Sequence, residues 1–267
     1  MIPNVLSIAG SDPSGGAGIQ ADLKAISANR AFAMAALTAL TAQNTQGVTG
    51  IELVPADFVR SQIKTVFDDV RVDAVKIGMI ATAEIAEAVA DSLADHADVP
   101  IVLDPVMVAK GGARLLAADA IAALRTRLLP LASLLTPNLP EAADLLGVPT
   151  AETRAHMQSQ GEAIVDLGAK AVFLKGGHLA SDESPDLLVT SSGSVWFEGR
   201  RTPTANTHGT GCTLSSAIAA QLAYGKSLED AASAAKAYVS DAIGRADQLS
   251  VGHGHGPTHH FANLWSQ

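Results

Sequence analysis

The chain of 267 residues contains a single cysteine, Cys212. One thiol cannot close an internal disulfide, so the fold rests on its core, and the cytoplasm is the expected compartment. Basic residues are also in deficit, 18 Lys and Arg against 27 Asp and Glu, for a formal net charge of −9. Such a chain offers no broad positive field to nucleic acid or to an anionic membrane surface, and any phosphate must be held locally. Long apolar runs are missing: the most extended, "AFAMAALTALTA" (31–42), is too short and too rich in threonine to span a bilayer. The opening "MIPNVLSIAG" has neither a charged leader nor an apolar segment of signal length, so no signal peptide is expected.

Two nucleotide signatures fail as well. Gly16, Gly18 and Ala21 satisfy a loose GxGxxA pattern, but a dinucleotide fold wants an acidic residue about twenty positions on for the ribose. Between Leu23 and Ile51 there is no Asp or Glu. The glycines then serve a tight turn or a close backbone approach to another ligand. "AYGKS" (223–227) ends a helical pattern and lacks the earlier glycine of a Walker A loop, which excludes a P-loop NTPase.

What is present is alternation. Short apolar runs at 5–9, 73–78, 101–106, 133–137 and 171–177 read as buried parallel strands. Alanine-rich helical patterns lie between them, from 57–70, 83–96, 117–129 and 161–169. "DLLVTSSGSVWFEG" (186–199) reads as an antiparallel edge hairpin, and a helix pair follows. Hydrophobic residues at 48% and charged residues at 17% suit one globular domain over 1–267, an α/β sandwich on a mainly parallel sheet.

Polar residues gather where these strands end: Asp12, Gly78 and Met79, Asp104, Asn138 and Glu141, and Lys175. Ligands of open α/β sheets sit at the carboxyl ends of the strands, so these positions should converge in one crevice. Asn138 and Glu141 fit a helix capping box equally well as water-mediated Mg²⁺ and phosphate contacts. Asp104 follows three apolar residues and needs a partner, either a salt bridge or a metal and phosphate role. "NTHGTGCTLSSAIAA" (206–220) sets Gly209 and Gly211 before a helix whose N-terminal dipole favours an anion. The alternative is a plain helix start capped by Thr210 or Thr213. "VGHGHGPTHHF" (251–261) carries His253, His255, His259 and His260, read as a terminal loop in preference to a metal site. His178 and His208 lie near the expected crevice.

Taken together, "AGSDPSGGAGIQADLKA", "TAQNTQGV", "KIGM", "VLDPVM", "TPNLPEA", "LKGGH", "HGTGCTLSSAIA" and "GHGHGP" resemble the bacterial hydroxymethylpyrimidine/phosphomethylpyrimidine kinases of thiamine biosynthesis, in order and over nearly the whole chain. The resemblance implies a ribokinase-like three-layer sandwich and a homodimer. It also implies use of ATP and Mg²⁺ in two successive phosphorylations of 4-amino-5-hydroxymethyl-2-methylpyrimidine. By motif, Gln43 matches the residue whose amide pairs with the aminopyrimidine, and Ala17, Met79 and Val106 match the apolar ring pocket. Asp104, Asn138 and Glu141 match contacts to phosphate and to Mg²⁺ through water, with no direct protein ligand assigned. Lys175 matches a position near the nucleotide phosphates, and Gly209, Thr210, Gly211 and Cys212 match the anion hole. Cys212 replaces the aspartate of related sugar kinases as proton acceptor, with a pKa expected to be lowered by the helix N-terminus. A pyridoxal kinase of the same superfamily is the near alternative; a nicotinamide oxidoreductase and a non-catalytic pyrimidine-binding module are the distant ones. "AKGGARLL" (109–116) is the lid candidate.

Overall fold

The computed structural model describes residues 1–107 and 118–265; the lid candidate lies outside them. Five strands supply the predicted parallel frame: β1 (Asn4–Ala9), β5 (Ala74–Ile77), β6 (Ile101–Leu103), β7 (Leu134–Leu135) and β8 (Ala171–Lys175). Each is a short apolar run with both faces covered, as a strand between two helical layers must be. β2 (Phe32–Leu37) extends the frame on one side, and β9 (Asp186–Thr190) with β10 (Gly193–Phe197) extends it on the other. The eight strands run in the order β10-β9-β8-β7-β6-β5-β1-β2, parallel from β2 to β8 and antiparallel across β8, β9 and β10. The edge hairpin expected at 186–199 is therefore present.

Helices α1 (Gly18–Ala28), α7 (Thr210–Ala223) and α8 (Leu228–Gly244) are on one face, where Val5, Val102, Leu134 and Phe173 pack against Leu214, Ile218 and Val239. α2 (Ala56–Asp69), α3 (Ala83–Leu93), α4 (Ala118–Ala123), α5 (Leu139–Leu146) and α6 (Arg154–Asp166) cover the other, around Leu6, Ile8, Ile77, Leu103 and Leu135. Three layers result, as the resemblance implied.

Three strands differ from the sequence reading. Residues 31–42, taken there only as a short apolar run, contain β2 and the start of a separate hairpin, β3 (Ala39–Asn44) and β4 (Gly47–Leu53). These strands carry small and polar residues and much of their surface is exposed, so no buried apolar run marks them in the sequence. Among the described residues no helix is long and apolar enough to cross a membrane.

Candidate active site

Because β1, β5, β6, β7 and β8 are parallel, their carboxyl ends share one edge of the sheet, and the polar residues that follow them meet there. A cavity of about 200 Å³ at that edge is lined by Ala17, Gln43, Met79, Val106, Asp104, Asn138, Glu141, Lys175 and the run from Gly209 to Cys212. Every site residue expected from the sequence is thus in one place.

The loop after β1 is shaped by Asp12. Its Oδ1 accepts from the backbone and hydroxyl of Ser14 at 2.9 and 2.7 Å, and its Oδ2 accepts from the Ala17 amide at 2.8 Å. Gly18 opens α1 at φ +54°, and a Cβ there would stand 2.4 Å from the Gly10 carbonyl. The GxGxxA glycines therefore serve a tight loop at the cavity wall. Gln43 reaches the cavity from β3, where the register shifts between Ala42 and Gln43, an irregularity of the kind that re-aims a side chain.

At the opposite wall the charges converge. Lys175 Nζ donates to Asp104 Oδ1 at 2.9 Å and lies 3.9 Å from Glu141 Oε2. Asp104 also accepts from Thr136 Oγ1 at 3.2 Å and Ser215 Oγ at 3.3 Å. The capping-box reading of Asn138 and Glu141 is borne out, and both residues also line the cavity. Asn138 Oδ1 accepts from the Glu141 amide at 2.9 Å while Glu141 Oε2 accepts from the Asn138 amide at 2.8 Å, a complete capping box on α5 that also faces the cavity. Burial raises the Asp104 carboxyl, but Lys175 and Lys76 outweigh it and hold the group below its usual range. Glu141 is pushed up to about 7 by burial, with Lys175 opposing and Asp104 adding to the rise. Lys175 is raised: burial works against its charge, and Asp104 and Glu141 overcome it.

The third wall is the start of α7. Gly209 is its N-cap at φ +76°, where a Cβ would stand 1.8 Å from the Gly16 carbonyl, so only glycine fits. Neither threonine caps the helix. Thr210 Oγ1 donates to the Thr207 carbonyl and Thr213 Oγ1 to that of Gly209, both at 2.8 Å. The first turn of α7 has no side-chain cap, which favours the anion reading over the plain cap. Gly211 faces the charged wall directly, its Cβ position being 3.2 Å from Lys175 Nζ.

One expectation fails at Cys212. Burial, aided by Asp22 and Asp104, pushes its thiol up to about 11, while Lys76 and the Gly18 amide pull the other way without prevailing. The helix N-terminus does not deliver a low-pKa thiol, because burial of the thiol outweighs it, with two nearby carboxylates adding to the rise.

Sequence reasoning missed the support beneath this wall. Lys76, fully buried in β5, donates to both oxygens of Asp22 at 2.9 Å. Asp22 accepts further from Ser7 Oγ at 2.6 Å and Ser216 Oγ at 2.8 Å. A lysine inside an apolar strand was the available signal, since a buried charge requires a partner. Asp12 and His208 form a second missed pair, with His208 Nε2 2.8 Å from Asp12 Oδ2. A neighbouring cleft of about 380 Å³ shares Lys175, Thr207 and Thr210 with the cavity and continues to Asp186 and Lys236.

Among the described residues no group of three or more His, Cys, Asp or Glu is placed to hold a metal ion. The histidine-rich tail straps the site. The His255 amide donates to the Thr45 carbonyl at 2.9 Å, the His208 amide donates to the Gly256 carbonyl at 3.0 Å, and His260 Nε2 lies 3.0 Å from Thr213 Oγ1.

Comparison with known proteins agrees with this geometry. The family described as phosphomethylpyrimidine kinase matches residues 12–259. The hydroxymethylpyrimidine/phosphomethylpyrimidine kinase of Escherichia coli is 52% identical over 98% of this chain and 98% of its own. Among solved structures, an ADP complex of Bacillus subtilis pyridoxal kinase superposes with a TM-score of 0.89 at 35% identity, covering 98% of this chain and 99% of that one. The phosphomethylpyrimidine kinase of Clostridium difficile superposes with a TM-score of 0.80 at 41% identity, over 90% of this chain and 99% of that one. The chain belongs to the phosphomethylpyrimidine kinase family.

Proposed function

We propose that this chain, as one kinase domain over residues 1–267, transfers the γ-phosphoryl group of ATP to 4-amino-5-hydroxymethyl-2-methylpyrimidine. In a second turnover it phosphorylates the monophosphate to the diphosphate, within thiamine biosynthesis and in the cytoplasm. The observation that carries the reading is the meeting of Gln43, Met79 and the Gly209–Cys212 turn in one cavity that opens onto a cleft sharing Lys175.

Phosphoryl transfer asks the protein for alignment and for neutralisation of moving charge. Gln43 binds the aminopyrimidine edge, since a carboxamide donates and accepts at once, and Ala17, Met79 and Val106 enclose the ring. The substrate hydroxyl is thereby aimed at the first turn of α7. Lys175 and the amides of residues 209–212 hold the transferred group's oxygens, a preorganised arrangement that needs no reorientation as charge develops. Cys212 receives the hydroxyl proton as its thiolate, a minor form because burial pushes the thiol up to about 11, and its own proton leaves to solvent before the transfer.

Magnesium fits the donor set. Asp104 and Glu141 present two carboxylates around one ammonium, and Glu141, raised chiefly by burial with Asp104 adding to it, is a carboxylate that a hard cation would help to ionise. Asp104 and Glu141 would hold it through water with Asn138 beside them, and when bound it neutralises phosphate charge. The dimer contact we assign to exposed apolar residues of β2, the β3–β4 hairpin and α2, namely Phe32, Leu40, Ile51, Leu53 and Phe58. Incubation with ATP, Mg²⁺ and the hydroxymethylpyrimidine tests the reading: monophosphate then diphosphate is the expected sequence, and absence of both overturns it.

A further inference from the structure

We propose that the glycine-rich strap of residues 252–256 holds Gln43 over the anion turn, by gripping Thr45 in the β3–β4 turn at one end and His208 at the other. Thr45 and Gly254 are positioning residues in this scheme, and the role given to Gln43 rests on the pyrimidine-kinase reading above.

The hairpin that carries Gln43 needs outside support. β3 and β4 form a two-stranded sheet of their own, and a lone hairpin with exposed strands is marginal until something packs on it. Its base is tied to the loop after β1, where the Ser11 amide donates to the Ala39 carbonyl at 2.9 Å and the Thr41 amide to Ser11 Oγ at 3.0 Å. Its tip is tied to the strap. Thr45, two residues beyond Gln43, is buried between the exposed Asn44 and Gln46. The Gly254 amide donates to Thr45 Oγ1 at 3.1 Å, and the His255 amide donates to the Thr45 carbonyl at 2.9 Å. The two backbones touch: a Cβ on Gly254 would stand 2.0 Å from the Thr45 carbonyl oxygen and 2.9 Å from the Gln46 nitrogen.

The other end of the strap is fixed to the helical side of the site. The Gly256 carbonyl accepts from the His208 amide at 3.0 Å, and Pro257 forms a parallel bridge with His208. Two more bonds anchor the chain to α8: the His259 amide donates to the Ala242 carbonyl and Tyr238 Oη to the His260 carbonyl, both at 2.9 Å. His208 is bonded covalently to Gly209, the N-cap of α7. The path from Gln43 to the anion turn is therefore short. It runs from Gln43 to Thr45, across to His255 and Gly256, and across again to His208 and Gly209. None of residues 252–260 lines the cavity, so the strap acts on the reaction through the hairpin and the turn that it joins. A displaced Thr45 carries Gln43 with it, and a misplacement of about an ångström in a substrate-positioning group is costly.

The test compares the 4-amino substrate with the same hydroxymethylpyrimidine lacking the amine, whose edge gives Gln43 less to bind. The wild type should prefer the amino compound in kcat/KM. Gly254→Ala pushes the Thr45 turn outward and should lower that preference by roughly 10-fold or more, with ADP affinity unchanged. Thr45→Val removes the hydroxyl that accepts from Gly254 and should lower it by roughly 3- to 10-fold, the scale of one hydrogen bond. Thr45→Ser keeps the hydroxyl and should restore the wild-type preference. In a Gln43→Ala background the preference is already lost, and adding Gly254→Ala should change it by less than about twofold, because the two act through one contact. ADP binding reports folding in each variant, and Thr45→Val decides the matter if Gly254→Ala does not fold. A preference at the wild-type level in Gly254→Ala and Thr45→Val, whatever the overall loss of rate, overturns the proposal and leaves the kinase reading intact. So does a further loss of preference when Gly254→Ala is added to Gln43→Ala. A wild type inactive on the amino compound overturns that reading and this one with it.

Discussion

The ammonium of Lys175 is 2.9 Å from Asp104 Oδ1, which ties the ends of β8 and β6 together across the intervening β7. The pair is buried on the protein side and faces Gly211 on the other, so one cation stands between two carboxylates and the start of α7. Lys175→Met should lower kcat by about 100- to 1,000-fold, the loss typical of removing one preorganised oxyanion partner. Steady-state kinetics with ADP affinity measured alongside will separate this from loss of nucleotide binding.

Glu141 gives a pH signature. Folding raises its carboxyl from 4.5 to about 7, so the folded state binds the proton more tightly than the unfolded chain. The sign follows: stability associated with Glu141 is fully present below about pH 4.5, declines as pH rises toward 7, and stays lost above. Glu141→Gln keeps an acceptor for the capping box and escapes this loss. Thermal melts of the metal-free protein should show the variant gaining on wild type between those pH values, by on the order of 1–3 kcal/mol at neutrality. Its activity should fall and lose its rise with pH near neutrality, because the ionised carboxylate is what a divalent cation needs.

The buried Lys76–Asp22 pair should govern stability more than chemistry. Asp22→Ala strands a fully buried ammonium among Ser7, Ser216 and the β5 backbone and should cost about 3–5 kcal/mol. Denaturant unfolding measures it, and a loss under about 1 kcal/mol would contradict the assignment of Asp22 as the carboxylate that compensates Lys76.

Most of the architecture was readable because buried parallel strands are apolar runs, and the site was readable because strand ends in such a sheet share one edge. Asp104 and Lys175 stood out as charges at the ends of apolar runs. What escaped were pairings between residues distant in sequence: Asp22 with Lys76, Asp12 with His208, Asp186 with Lys236. No local pattern marks a partner fifty or two hundred residues away. The β3–β4 hairpin escaped because its exposed strands pack too little core to need an apolar face. The Cys212 expectation fails because the helix dipole is visible in "HGTGC" while the burial of the thiol, and the carboxylates that add to it, are not.

Cys212 itself is open to direct assay. With its thiol at about 11, alkylation of this one cysteine should be slow at pH 7.5 and accelerate steeply above pH 9. Cys212→Ala should reduce kcat by about 100-fold, the lower end for a proton-transfer group, with ADP affinity unchanged. A rate within twofold of wild type would leave the thiol as packing, with the neighbouring amides as the catalytic feature (a twofold change is roughly 0.4 kcal/mol).

The face proposed for dimerisation is equally exposed to test. Phe58 on α2 is 60% exposed and Phe32 on β2 is 59% exposed. Phe58→Glu should convert a dimer into a monomer by light scattering, since a charge at an apolar contact is desolvated without a partner.

The central claim is that the cavity takes an aminopyrimidine in preference to a pyridine. The direct measurement is kcat/KM for 4-amino-5-hydroxymethyl-2-methylpyrimidine against pyridoxal, in the same protein with ATP and Mg²⁺. The account predicts a ratio above about tenfold in favour of the pyrimidine, with diphosphate as the end product, because a site that hydrogen-bonds a substrate amine discriminates against a ring lacking it. A ratio of one or less, or phosphorylation of pyridoxal alone, would contradict it.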